Sequence, residues 1–275
     1  MKTDNGGTQA ELADRHLLYQ QSVQDVESEI DFVEQTWSEL RRRPARLLRE
    51  DFCGTANTSC EWVSRDDDYL AVGVDLDEEV LEWGRLYNLA ELTEEQSERI
   101  ELIQENVLDA QPDLADIILA MNFSYYLFLR RNDLREYFEN ALDGLVSDGI
   151  LFLDAYGGYE APMVLTEPRD CEDTDGQPFT YIWEQASFNP IDSCMTCNIH
   201  FEFPDKSRID QAFSYFWRLW TLPEIEEILY EAGFSQVDIY WEGTDEEKNE
   251  GNGIYTPSET GDADPGWVCY IVAQA

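Results

Sequence analysis

The chain has 275 residues, of which 43% are hydrophobic and 13% aromatic. This composition suffices for one substantial core and excludes a disordered protein. The net charge is −41, from 59 acidic against 18 basic residues. Such a balance disfavours nucleic acid as a substrate, because binding a polyanion requires many lysine and arginine side chains.

The acidity indicates a halophilic protein of a salt-rich cytoplasm. At about 1 M salt the Debye length falls to roughly 3 Å, so repulsion among the carboxylates is screened. An acidic surface for a basic partner is the alternative. No apolar run reaches the length of a membrane span, and the first residues lack the pattern of a signal peptide. We therefore expect a cytoplasmic protein without membrane contact.

Basic residues are dense in one run only, Arg41–Arg43 with Arg46 and Arg49. This run follows a predicted helix, where cations meet the negative end of the helix dipole. We expect a solvated helix end there rather than a phosphate site.

The six cysteines are scattered, and only Cys194 and Cys197 form a CxxC pair. A zinc site would need two further ligands, and no second CxxC or HxxxH accompanies the pair. We expect reduced thiols and no metal.

Residues 9–40 have helical periodicity, which predicts an amphipathic N-terminal helical segment. Its apolar face carries Val23, Val26, Ile30, Val33 and Trp37.

From residue 46, short apolar runs alternate with helical stretches. This alternation predicts a parallel sheet with helices on both faces. The predicted strands are 47–52, 69–76, 100–108, 115–123 and 149–156, and the helices are 58–65, 78–89 and 133–145.

After Gly157 the alternation stops, and three strands are predicted at 178–188, 193–203 and 208–220. They indicate an inserted antiparallel sheet whose last two strands are joined at residues 204–207.

The C-terminal part returns to the alternating pattern. Thr221 and Glu224 form a capping box, and the helix they begin is expected to stop at Gly233. Two more strands follow, at 235–243 and 266–274, and the acidic stretch 244–266 between them is predicted to be a mobile surface loop.

The turn after the first strand carries the first chemical signal. Small residues at 54–56 let the backbone approach a ligand closely, and the next helix presents unpaired N–H groups to it. A glycine turn needed only for packing is the alternative.

The second strand ends in Asp75, 21 residues after Gly54. A carboxylate at that spacing can bind both hydroxyls of an adenosine ribose and excludes a 2′-phosphate. Alternatively, Asp75 caps the helix that starts at Asp77.

Polar residues also follow the third and fourth strands. Residues 104–109 place a polar side chain beside an apolar one, which suits an adenine ring, and residues 121–126 follow the fourth strand. All four positions fall at carboxyl ends of parallel strands, where open α/β sheets bind ligands.

Together these residues resemble the class I S-adenosylmethionine-dependent methyltransferases, over residues 45–155 plus the last helix and two strands. The resemblance implies an α/β, Rossmann-like, doubly wound and mostly parallel seven-stranded sheet with an N-terminal helical segment and an inserted antiparallel β lid. The implied domains are an N-terminal helical cap (1–44), the cofactor-binding core (45–157), the β lid (158–220) and the segment completing the core (221–275).

The resemblance also implies the cofactor contacts. The methionine part would lie at the turn, the ribose at Asp75, the adenine at Asn106 and Val107, and the methyl donor at Asn122. Leu76 is a further expected cofactor contact. The turn residues are Glu50, Phe52, Cys53, Gly54, Thr55 and Ala56. Phe52 and Ala56 replace the first and third glycines of the family's loop, in a variant similar to that of a small-molecule subgroup.

In similar enzymes a segment like residues 16–24 folds over the cofactor. Tyr19 and Gln24 are therefore candidate lid residues, with surface helix residues as the alternative.

Methyl transfer from a sulfonium is an in-line displacement that chiefly requires alignment and exclusion of water. If the acceptor must lose a proton, His16 and His200 are the side chains that titrate near neutrality. His200 shares a predicted face with Asn198 and Glu202, either solvated or lining a pocket. The third inserted strand has aromatic residues on both faces, as core or as an acceptor pocket wall. The weaker substrate-facing candidates are Gln24, Tyr125, Tyr156, His200 and Arg218.

The sequence thus predicts a methyltransferase acting on a small molecule, with a protein acceptor left open. One alternative is an NAD-dependent oxidoreductase, against which Phe52 and Ala56 argue, because a pyrophosphate normally requires Gly-x-Gly-x-x-Gly. Others are a cofactor-binding protein without catalysis and an aminopropyltransferase.

Overall fold

The structure is a computed structural model that describes residues 7–245 and 250–275. Its helices are α1 (Gln9–Leu12), α2 (Arg15–Val23), α3 (Val26–Leu40), α4 (Asn57–Arg65), α5 (Glu78–Tyr87), α6 (Glu94–Ser97), α7 (Arg131–Asp143) and α8 (Leu222–Ala232). Its strands are β1 (Leu47–Asp51), β2 (Leu70–Asp75), β3 (Ile100–Gln104), β4 (Ala115–Ala120), β5 (Leu145–Gly157), β6 (Leu165–Glu172), β7 (Pro178–Asn189), β8 (Cys194–Glu202), β9 (Arg208–Arg218), β10 (Gln236–Asp245), β11 (Glu250–Pro257) and β12 (Trp267–Gln274). Within these described ranges, no helix combines the length and hydrophobicity that a membrane span requires.

The chain forms two compact units, of which the larger comprises Val26–Ala161 and Trp220–Ala275. Its sheet has the strand order β11-β10-β12-β5-β4-β1-β2-β3. Strands β1 to β5 are mutually parallel, and β12 is antiparallel to both neighbours, β5 and β10. This confirms the predicted doubly wound α/β fold with an antiparallel final strand.

The large sheet has an eighth strand where the sequence predicts a loop. β11 lies inside the stretch 244–266 and pairs antiparallel with β10. The prediction of a loop is wrong for this part, and residues 246–249 lie outside the described residues. The sequence does not predict this strand, because its glycines and polar residues give no alternation of apolar and polar positions. The strand forms through backbone hydrogen bonds to β10 at the edge of the sheet.

The smaller unit comprises residues 7–25 and Pro162–Leu219. Its antiparallel sheet has the order β6-β7-β8-β9, one strand more than predicted. The missed strand is β6, which is largely exposed and contains Pro168. Proline cannot donate a ladder hydrogen bond and is tolerated at a sheet edge, where β6 lies.

The N-terminal residues form three helices rather than one segment. The Asp14 carboxylate caps α2, and Gln24 ends it in extended backbone. Helix α3 carries the predicted apolar face, since Ile30, Val33 and Trp37 are buried in the core of the large unit. Helices α1 and α2 instead belong to the small unit, where Leu18 packs into an apolar cluster with strand residues.

The C-terminal helix follows its sequence signals. The Glu224 carboxylate accepts the backbone N–H of Thr221 at 3.0 Å, which forms the predicted capping box. Gly233 ends the helix in left-handed backbone, with φ of 112°.

Three arginines of the basic run after α3 are bonded to the body of the large unit, whereas Arg42 and Arg46 are exposed, as expected of a solvated helix end. Arg43 forms salt bridges with Asp116 and Asp148, and Arg41 donates to the Asp148 carbonyl. Arg49 lies buried on β1. Their guanidinium groups are held by internal partners and offer no phosphate site.

Asp116 connects the start of β1 to β4. Besides Arg43, its carboxylate accepts the backbone N–H groups of Arg46 at 2.7 Å and Leu47 at 3.1 Å. We expect Asp116→Asn to lower the free energy of unfolding by about 1–3 kcal/mol, because an amide cannot satisfy all three donors. Denaturant unfolding in molar salt measures this, and an unchanged midpoint would contradict it.

Candidate functional site

The turn between β1 and α4 has an unusual backbone. Phe52, Gly54 and Ala56 have φ of 58°, 53° and 56°, so every second residue is left-handed. This conformation costs residues other than glycine about 1–2 kcal/mol. Phe52 and Ala56, which stand where the resembling family has glycines, therefore retain the backbone that glycine favours. A Cβ placed on Gly54 would meet only Val80, at 3.7 Å, so there is room beside the backbone.

Helix α5 supports this turn from below. Asn88 donates its side-chain N–H to the Thr55 carbonyl at 2.8 Å. A Cβ placed on Gly84 would lie 2.5 Å from the same oxygen, a distance that real structures do not show. Gly84 therefore permits the close contact between α5 and the turn.

We expect Gly84→Ala to displace the turn and weaken binding of S-adenosylmethionine at least tenfold, although alanine favours a helix by about 1 kcal/mol. Calorimetric titration together with a melting curve measures both effects. Gly266→Ala is the matched control, because a Cβ there meets nothing within 4 Å. Wild-type affinity in Gly84→Ala would contradict the role given to this contact.

Asp75 links three strand ends. Its carboxylate accepts the backbone N–H of Gly54 at 2.8 Å and that of Asp77 at 2.9 Å, and its carbonyl accepts the N–H of Glu105. The N-cap of α5 is Asp77, whose side chain accepts two N–H groups of the first turn. Asp75 is therefore not the N-cap of α5, although its carboxylate binds the N–H of the N-cap residue.

Glu50 lies under the turn at the carboxyl end of β1, with 7% of its surface exposed. Its carboxylate accepts the N–H of Ser59 at 2.9 Å and the Ser59 hydroxyl at 2.5 Å. Burial raises the pKa of Glu50 to about 7 despite these bonds, which favour the ionised form. Glu50 therefore ionises at a higher pH than an exposed glutamate does.

A second buried group lies beside it. The Arg49 Nε donates to Asp51 at 2.6 Å, and the Tyr137 hydroxyl donates to the other oxygen of Asp51 at 3.0 Å. Arg49 also donates to the Val107 carbonyl at 3.3 Å. A buried ion pair thus connects the ends of β1 and β3 with α7.

The raised pKa of Glu50 predicts how a neutral side chain changes stability. Its pKa rises from 4.5 to about 7 on folding, so the stabilisation from its protonated form is present below pH 4.5 and lost as the pH rises through 7. We expect Glu50→Gln to match wild type at pH 4.5 and to be more stable at pH 8, by up to about 3 kcal/mol. Urea unfolding of both proteins at the two pH values measures this, and an identical difference at both would contradict it.

The turn after β3 contains the residues expected at an adenine. Asn106 is exposed, and its side-chain oxygen accepts the N–H of Leu108 at 3.0 Å, whereas Val107 is buried. Leu76, next to Asp75, is 68% exposed. Leu76 follows Asp75, which binds the β1 turn, and its exposed side chain provides apolar surface for a flat ring.

The turn after β4 repeats the left-handed backbone. Asn122 and Phe123 have φ of 56° and 57°. The Asp154 carboxylate on β5 accepts both of their N–H groups, each at 2.8 Å. Burial raises the pKa of Asp154 to about 7. Asp154 was not among the predicted site residues, although a carboxylate within the apolar strand 150–155 was a visible signal.

Two tyrosines predicted to face the substrate lie around this turn. Tyr125 has no exposed surface and donates its hydroxyl to the Asp154 carbonyl at 2.8 Å. In this structure it supports the turn rather than offering surface to a ligand. Tyr156 is half-buried, with its ring 4.8 Å from that of Phe123.

The predicted lid residues lie in the small unit. Tyr19 on α2 packs its ring 4.9 Å from that of Phe213, and His16 contacts the same ring edge-on at 5.7 Å. Gln24 is half-buried at the end of α2. Nearby, both polar side-chain atoms of Gln21 are buried without a hydrogen-bond partner among the described residues, a signal that sequence analysis did not use.

His200 belongs to a buried polar cluster in the small sheet. Its Nδ1 accepts the Gln211 N–H at 3.1 Å, so Nε2 carries the proton and donates to Glu184 at 3.1 Å. Asn198 donates to the same carboxylate at 2.6 Å. Because His200 and Asn198 are buried, the expectation of a solvated face is wrong for both.

The third inserted strand differs from its prediction. Phe216 is 59% exposed, and Trp220 lies beyond the end of β9 in the large unit, donating to the Phe128 carbonyl. The face opposite Trp217 is therefore not the apolar one that was expected. Arg218 is half-buried opposite Cys194, and no cluster suited to a metal exists in the part of the chain that the structure describes.

Four sets of predicted cofactor residues thus meet at one edge of the large sheet. They follow β3, β2, β1 and β4, which are adjacent in that order. Solved structures with this architecture include an S-adenosylmethionine-dependent methyltransferase from Clostridium acetobutylicum, with 17% identity, a TM-score of 0.67 and coverage of 93% of this chain and 96% of that one. The chain has the fold of a methyltransferase.

Two further solved structures share it. CalS10, an amino pentose methyltransferase from Micromonospora echinaspora, has 12% identity and a TM-score of 0.67 over 99% of both chains. The sugar N-methyltransferase KedS8 from Streptoalloteichus has 15% identity and a TM-score of 0.64 over 100% of this chain and 95% of that one. Neither a protein-family model nor a curated protein matches the chain.

Proposed function

We propose that this chain is an S-adenosylmethionine-dependent methyltransferase whose acceptor is a small molecule. The proposal rests on one observation in the large unit. Asp75 at the end of β2 is hydrogen-bonded to the turn after β1 and to the turn after β3, so the ends of the three strands are joined. Ligands of open α/β sheets bind at such an edge.

Asp75 suits a ribose that carries both hydroxyls. A carboxylate has about four acceptor positions, and the bonds from Gly54 and Asp77 use two of them. Two ribose hydroxyls can therefore be bound without breaking the bonds that shape the turn. Leu76, Asn106 and Val107 would flank the adenine, and the left-handed turn with Glu50 would hold the methionine part.

The cofactor would supply an activated methyl group, and the chain's residues would align the acceptor and exclude water. Alignment alone contributes roughly 7–11 kcal/mol to such reactions. His200 does not suit the role of proton acceptor in this structure, because its unprotonated Nδ1 already accepts the Gln211 N–H. His16 stays the candidate for removing a proton from the acceptor, and the bond that its Nε2 accepts, from the Arg15 Nε–H, is an exposed one of 3.4 Å.

A small acceptor is supported by the acidic surface, which disfavours polyanions, and by the names of CalS10, an amino pentose methyltransferase, and KedS8, a sugar N-methyltransferase. We propose that amino sugars are the first acceptors to test. Tyr19 and Gln24 are proposed as lid residues, and the protein is proposed to work in a salt-rich cytoplasm. We propose the boundaries near 157 and 220 for the inserted lid, whereas the two compact units divide the N-terminal helices after residue 25 and not at 44.

The competing oxidoreductase would hold NAD at the same edge. Phe52 and Ala56 argue against it, because their side chains limit how closely a pyrophosphate can approach the backbone. A binding protein without catalysis would have the same site and release no S-adenosylhomocysteine with any acceptor.

The proposal is tested by calorimetric titration with S-adenosylmethionine in molar salt. We expect micromolar affinity, about −8 kcal/mol, and at least a tenfold loss in Asp75→Ala. Asp77→Ala is the matched control, since it removes the α5 cap, worth about 1 kcal/mol of stability, and leaves the ribose contact intact. Binding of NADH alone, or equal affinity in Asp75→Ala, would overturn the assignment.

A further inference from the structure

We infer that Asp154 is a positioning residue for methyl transfer, which acts by fixing the turn that carries Asn122. This inference rests on the proposed function and goes beyond it, since Asp154 would act through the backbone of the turn that it binds. Both of its carboxylate oxygens are occupied by backbone N–H groups, and only 8% of the residue is exposed.

The geometry follows from where β4 leaves the sheet. The last pair between β4 and β5 joins Ala120 to Leu153, so Asp154 is the first β5 residue beyond the pairing. The next N–H groups of the β4 chain have no strand partner there. The carboxylate takes the place of that partner and binds two successive N–H groups, one with each oxygen, which fixes both the position and the direction of the turn.

Contacts on the other side hold Asp154 in place. The Tyr125 hydroxyl donates to its carbonyl, and the Tyr126 hydroxyl donates to the carbonyl of Tyr156 at 3.2 Å. The rings of Tyr126 and Tyr156 pack with their centroids 5.7 Å apart. The turn is therefore bound to β5 at three points, and Asn122, which is only half-buried, is the residue these bonds present at the sheet edge.

The positioning role of Asp154 can be distinguished from a purely stabilising one, because the chain contains a second aspartate with similar burial and similar bonds. Asp116 is also 8% exposed and also accepts two successive backbone N–H groups. It lies near the amino end of β4, whereas the Asn122 turn follows the carboxyl end. Asp116→Asn should lower stability without changing the ligand site.

The experiment compares S-adenosylmethionine with S-adenosylhomocysteine by calorimetry, since these differ only in the methyl group and the charge on sulfur. We expect Asp154→Asn to reduce the preference for the methylated ligand about tenfold relative to wild type. Asn122→Ala should cause a similar loss, and the double variant should be within twofold of the weaker single variant, because both act through the same side chain. Asp116→Asn should keep the wild-type preference.

Hydrogen exchange of the ligand-free protein gives a second readout. The amides of Asn122 and Phe123 should exchange at least tenfold faster in Asp154→Asn and at the wild-type rate in Asp116→Asn. If Asp154→Asn does not fold, Asp154→Glu replaces it in both measurements. This variant keeps a carboxylate and displaces the turn, because its side chain is one methylene longer.

An unchanged ligand preference in the Asp154 variant, or losses that multiply fully in the double variant, would overturn the inference while leaving the proposed function intact. Absence of binding of either ligand by the wild-type protein would instead overturn the proposed function, and the inference with it.

Discussion

Left-handed backbone at residues other than glycine is the constraint on which this site depends. Phe52, Ala56, Asn122 and Phe123 adopt it at the ends of two adjacent parallel strands. Left-handed backbone is unfavourable for each of these residues, so other contacts must offset its free-energy cost. At β1 these come from Asp75 and the close approach of α5, and at β4 they come from Asp154. Both turns are thus held in this conformation by contacts within the chain itself.

Carboxylates have two distinct roles in this acidic chain. Most are exposed, and salt determines how strongly they repel one another. Glu50 and Asp154 are instead buried at the functional edge, where desolvation raises the pKa of each to about 7. Carboxylates whose pKa is raised by burial cluster at functional sites, because catalytic and binding groups need shifted pKa values for their tasks. Bulk composition gives no indication of this second group.

The alternation of strands and helices was enough to predict the large sheet, the capping box at Thr221 and the helix stop at Gly233. The strand-end positions of Asp75 and Asn106 followed from the same pattern. The edge strands β6 and β11 were not predicted, because they are held by backbone hydrogen bonds to a neighbouring strand. Such pairing requires no alternation of apolar and polar residues in the sequence. Asp154 was missed for a different reason, since its role depends on the register between β4 and β5. The burial of His200 likewise depends on which partners its strand acquires.

The small unit is built from two segments separated by residues 26–161, and this has a consequence for how the protein is made. Helices α1 and α2 leave the ribosome long before the strands that cover Leu18 and Tyr19. At about 5–20 residues per second, they wait on the order of ten to forty seconds for β9. Closing so long a loop costs little more free energy than closing a shorter one, since each doubling adds only about 0.6 kcal/mol. The delay is therefore kinetic, and during it the apolar side chains of α2 that pack in the small unit stay uncovered until β6 to β9 have been made.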